Sequence, residues 1–150
     1  MSSKHGLLLD LNVLIALSWP PHRHHQSVQS WFAKHGAEGW ATCPFTQLGF
    51  VRILSNPSFS RDAVSPREAL RILIANIEHV GHRFWPDELS INMLHDLFST
   101  KLQGHQQIND SYLLAMVIHQ KSKLVTLDKG IGDLLPERLS PREFIELIHD

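Results

Sequence analysis

The chain has 150 residues, 43% of them apolar, enough to close one sizeable core, so one globular domain spanning residues 1–150 is expected. Fourteen Lys and Arg stand against 15 Asp and Glu for a net charge of −1, so no global field draws the chain to nucleic acid and any phosphate binding has to be local. No 18-residue apolar span occurs, the opening MSSKH is too polar for a secretory leader, and the lone Cys43 can make neither an internal disulfide nor a zinc pattern; a cytoplasmic protein without membrane contact is expected.

In chain order, GLLLD (6–10) reads as a short strand covered on both faces, and LNVLIALSW then turns into a helix stopped by Pro20 and Pro21. Residues 26–34 put Val28, Trp31 and Phe32 on one helical stripe that ends at His35-Gly36. GWATC is a second strand and FTQLGFVRIL a helix after it. NPSFSRDAVSP is a Pro- and Ser-rich loop, and Ser65-Pro66 opens a further helix over REALRILIANI. HRFWP suggests a third strand, DELSINMLHDLF a short helix, and QQINDSYLLAMVIHQ a strongly apolar helix after the break at Gly104. KLVTLD is the fourth strand, and the tail SPREFIELIHD is expected to be a last helix. Strands separated by helices indicate an α/β fold with a mainly parallel sheet of four or five strands between helical layers.

Function in open parallel sheets gathers beyond the carboxyl ends of the strands. Asp10 closes the first strand and Asp128 the fourth, while Asp110 opens the helix from about residue 109 or 110. Three acids from three elements then converge on one edge, and close carboxylates that repel one another need a cation or shared protons. Magnesium or manganese, hard cations that prefer oxygen ligands, fits such a set and can activate water against a phosphodiester. Each aspartate also has a plain structural reading. Asp10 and Asp110 suit helix starts, and TLDKG suits an ordinary exit from a strand.

LLLDLNVLIAL, FTQLGFVRIL, INDSYLLAMV and LVTLDKG, in that order, resemble the PIN-domain ribonucleases, and most of all the VapC toxins of bacterial toxin–antitoxin pairs. The resemblance spans nearly the whole chain. It implies a three-layer PIN-like fold and a magnesium-dependent endoribonuclease with Asp10, Asp110 and Asp128 as the catalytic acids, Asp10 and Asp110 holding the metal. Asn12, Gln47 and Thr126 would support them. The implied partners are RNA, commonly tRNA or rRNA, a cognate antitoxin and a second copy in a homodimer. The family's usual glutamate in the helix after the second strand is missing: Gln47 or Gly49 takes its place, leaving Asp87 or Asp96 as possible substitutes. That departure keeps open a weak or inactive domain that binds RNA or a protein partner without cutting. A phosphohydrolase with Asp10 as nucleophile is a third reading, disfavoured because DLN lacks a second aspartate.

The remaining features have plainer readings. The histidines at 22, 24 and 25 read as a solvated loop or helix start rather than a zinc site. Trp31, Phe32, Phe84 and Trp85 read as core.

Overall fold

Five three-residue strands form one sheet in the order β3-β2-β1-β4-β5, and all four pairings are parallel. The strands are β1 (Leu7–Leu9), β2 (Trp40–Thr42), β3 (His82–Phe84), β4 (Leu124–Thr126) and β5 (Ile145–Leu147). The helices are α1 (Leu11–Ser18), α2 (His25–His35), α3 (Pro44–Leu54), α4 (Pro66–Ile77), α5 (Ile91–Phe98), α6 (Ile108–Gln120) and the single turn α7 (Pro141–Phe144). This computed structural model describes residues 5–149; residues 1–4, part of the segment behind the no-leader expectation, and residue 150 of the tail lie outside it.

The strict alternation of side chains along a strand divides the core in two. Leu8, Ala41 and Leu124 face one side, packed on Leu94 and Phe98 of α5 and on Leu113, Leu114 and Val117 of α6. Leu9, Trp40 and Val125 face the other, packed on α1, on Val28 and Trp31 of α2, on Phe50 of α3 and on Leu73 of α4. Both faces of the sheet are therefore covered, which is why its strands read as short unbroken apolar runs. Gly6 and Gly39, at φ +82° and +123°, let the chain enter β1 and β2 side by side; a Cβ on Gly6 would lie 3.0 Å from the Trp40 nitrogen.

The expected local signal acts at the start of α4. Ser65 caps α4, its hydroxyl accepting from the Glu68 N–H at 3.1 Å with Pro66 in the first turn. The tail differs from expectation. It holds one helical turn and then β5, an edge strand whose residues 145–147 pair with 124–126 of β4. Ile145 and Ile148 bury against the two sheet faces, and period-2 burial beside an open strand edge outcompetes a helix started by only four residues. Two smaller differences have similar causes. The segment 86–90 has no regular secondary structure, so α5 starts at Ile91 rather than at residue 87, and Phe84 is 52% exposed because β3 is a sheet edge. Trp31 and Trp85 are buried, as read, and Phe32 packs at the core margin.

Candidate active site at the carboxyl edge of the sheet

Asp10 follows β1 at the centre of the sheet and is 8% exposed. Two donors hold its carboxylate: the Leu11 N–H at 2.7 Å and the Thr126 hydroxyl at 2.8 Å, so one oxygen caps α1 and the other reaches across to the end of β4. The capping reading of this residue is thus realised by one oxygen, while the other oxygen bonds the end of β4. Burial raises its pKa, the two hydrogen bonds oppose that, and the negative charge of Asp128 adds to the rise.

Thr126 is fully buried and joins two of the acids, because its hydroxyl oxygen also accepts the Asp128 N–H at 3.1 Å. Asp128 lies at the exposed rim, where its carboxylate accepts the Gly130 N–H at 2.9 Å and fixes the turn after β4. Asp110 is the third residue of α6, whose N-cap is Gln107, so it lies in the positive first turn without being the cap. Burial, then the charges of Asp10 and Asp128, push its pKa up to about 6. Three segments far apart in sequence therefore deliver three carboxylates close enough to repel.

The other predicted residues fall as follows. Asn12 is exposed on the first turn of α1 and lines a cavity with His22, Asn56 and Phe59. Gln47 donates its amide N–H to the Thr42 hydroxyl at 3.0 Å, and that oxygen also lies 2.7 Å from His82 Nε2. Gly49 packs against Leu11, where a Cβ would come within 2.7 Å of a leucine methyl, so a longer side chain there requires the Leu11 side chain to shift. Asp87 accepts from the Tyr112 hydroxyl, and Asp96 is exposed and pairs with His95, so each has a partner outside the cluster. His25 opens α2 with Nδ1 2.6 Å from the Ala16 oxygen, and His22 sits in the preceding turn. Thr42 and His82 were not singled out from the sequence. The contact that matters for them joins β2, β3 and α3, and nothing in a local pattern marks it.

Among the described residues no three His, Cys, Asp or Glu side chains are gathered tightly enough to enclose an ion. The donor set is nevertheless all oxygen, and burial first, then neighbouring carboxylates, push the Asp10 and Asp110 pKa values up. A hard divalent cation fits both features. No described helix is long and apolar enough to cross a membrane.

Residues 7–134 match the PIN domain family model. The chain is 38% identical to Ribonuclease VapC38 of Mycobacterium tuberculosis over 141 residues, which cover 94% of this chain and 96% of that protein. It is 39% identical to Ribonuclease VapC39 of the same organism over 126 residues, covering 84% and 91%. Ribonuclease VapC44 shares 34% identity over 125 residues, covering 83% and 87%.

Proposed function

The chain belongs to the PIN-domain family, among the VapC-type toxins, and from that premise we propose that it is a magnesium-dependent endoribonuclease, the toxin of a toxin–antitoxin pair, with Asp10, Asp110 and Asp128 as its catalytic acids. The observation that carries this reading is the position of these carboxylates after β1, after β4 and in the first turn of α6, with the Thr126 hydroxyl bonded both to the Asp10 carboxylate and to the Asp128 N–H. Asp10 and Asp110 would hold Mg2+ or Mn2+. When bound, the cation would neutralise charge on the RNA phosphodiester and make water more acidic. Thr126 and the Leu11 N–H keep the Asp10 carboxylate in one orientation, and Asp128 adds negative charge at the rim. In the hydrolysis itself water adds to phosphorus in line with the departing ribose oxygen, which leaves with a proton. The partners are RNA, tRNA or rRNA by family habit, a cognate antitoxin and a second copy of the chain.

Purified protein with magnesium is expected to cut structured RNA into discrete fragments, and EDTA to stop it. Binding that tolerates EDTA with no product at any magnesium concentration would instead select the non-cutting reading, which Gln47 in place of an acid favours.

Two substitutions test the supporting residues. Thr126→Val keeps the shape but removes the donor to Asp10 and the acceptor for the Asp128 N–H; divalent affinity is expected to fall on the order of tenfold. Mn2+ titration by calorimetry checks this, and unchanged affinity with a lower Tm would leave Thr126 a purely structural role. Gln47→Ala is expected to lower the cleavage rate by less than about tenfold, because a neutral amide bonded to Thr42 contributes orientation and no charge. Initial rates on one RNA check it; a loss as deep as that of an aspartate would make Gln47 part of the catalytic set.

A further inference from the structure

Asn12, two residues beyond Asp10, opens onto a cavity of about 260 Å³ between α1, the turn before α2 and the loop after α3. We propose that this cavity receives one unpaired nucleobase of the RNA beside the scissile phosphate, and that it prefers a keto base, uracil or guanine. The proposal rests on the nuclease reading above and deepens it, naming the part of the substrate that the chain reads.

The floor is apolar, made by Ile15 and Ile53, and the walls are rings, His22 and Phe59. Trp19 braces both walls, with its ring centroid 5.0 Å from Phe59 and 6.4 Å from His22, nearly perpendicular to the latter. Phe59 is thus held in place although it is 40% exposed. Flat apolar walls around a slot are how proteins hold splayed single-stranded bases. The volume falls just below the range of about 300–1,000 Å³ used for drug-sized ligands, so a single ring system suits it better than a larger group.

The polar rim sets the preference. Asn56 Oδ1 accepts the Ser58 N–H at 2.9 Å, which leaves its amide nitrogen as a donor. His22 Nδ1 accepts the His24 N–H at 3.1 Å, so the neutral ring carries its proton on Nε2. Burial first, then the neighbouring His24, His25 and Arg23, lower the His22 pKa, which favours the neutral ring. The Asn56 amide nitrogen and the His22 Nε2–H are two donors that suit the carbonyl edges of uracil and guanine. Asn12, two residues after Asp10, sets this slot beside the start of α1.

The test uses the full chain in two arms. In EDTA, AMP, GMP, CMP and UMP are titrated separately while the Trp19 indole N–H signal, assigned with Trp19→Phe, is followed by NMR. UMP and GMP are expected to shift it and to bind at least about threefold tighter than AMP and CMP. With magnesium, a randomised RNA is cleaved and its 5′ ends sequenced. The wild type is expected to enrich uracil or guanine about tenfold at one position flanking the cut, and Phe59→Ala or Asn56→Asp to flatten that enrichment to less than about threefold. Asn56→Asp keeps the acceptor for the Ser58 N–H, so it carries the test if Phe59→Ala fails to fold. Nucleotide shifts at Trp19 without any cleavage would support the base slot while removing the nuclease reading. Cleavage with no shift at Trp19 and an unchanged preference in both variants would overturn the slot and leave the nuclease intact. Enrichment of adenine or cytosine would overturn the keto preference.

Discussion

Asp10→Asn and Asp110→Asn are each expected to reduce RNA cleavage on the order of 10³- to 10⁴-fold while the far-ultraviolet circular dichroism stays that of the wild type. The fold survives because asparagine keeps an oxygen for the Leu11 N–H, and because Asp110, in the first turn of α6, is not its cap. Cleavage fails because the two neutral amides remove the charge that would attract a divalent cation. Groups that act as one unit do not add, so the double variant is expected to be no slower than the worse single one. Asp128→Asn, at the exposed rim, is expected to cost less, about tenfold, since solvent screens its charge. Single-turnover rates on one labelled RNA measure all four variants. Wild-type rates in both Asp10→Asn and Asp110→Asn would exclude this mechanism outright.

The parts of the site visible in the sequence are those carried by a local pattern. Asp10 after an apolar run and Asp128 after KLVT are placed by strand ends, and parallel strands put their carboxyl ends on one edge whatever the intervening chain does. Thr126 is visible for the same reason, two residues before Asp128, although it is buried and Asp128 is exposed. The features that escape a local reading depend on contacts between distant segments. β5 forms because β4 offers an open edge, which the tail itself cannot reveal. The exposure of Phe84 follows from the position of β3 in the sheet order, and the Gln47–Thr42–His82 contact from three elements meeting. The base slot beside Asn12 is likewise assembled from α1, a turn and a loop, each unremarkable alone.

The same charge deficit that serves a cation should cost the cation-free protein stability. The Asp110 carboxyl has its pKa raised from 3.8 to about 6 by burial and by Asp10 and Asp128, so the folded state holds this proton more tightly than the unfolded chain does. Stability from that proton is fully present below about pH 4, is lost as pH rises through about 6, and is absent above. The shift is equivalent to at most about 3 kcal/mol, and solvent access to a partly exposed carboxylate cuts this to roughly 1–2 kcal/mol. In EDTA near neutral pH, Asp110→Asn is therefore expected to be the more stable protein by roughly 1–2 kcal/mol, the difference vanishing towards about pH 4. Magnesium should invert the order: a cation at 100 times its dissociation constant stabilises the wild type by about 2.7 kcal/mol and the variant hardly at all. Urea unfolding of both proteins, with EDTA and with excess magnesium, checks the inversion. Equal stabilities in EDTA would mean that neither burial nor the neighbouring carboxylates raise the Asp110 pKa, and an equal gain from magnesium in both would place the cation elsewhere.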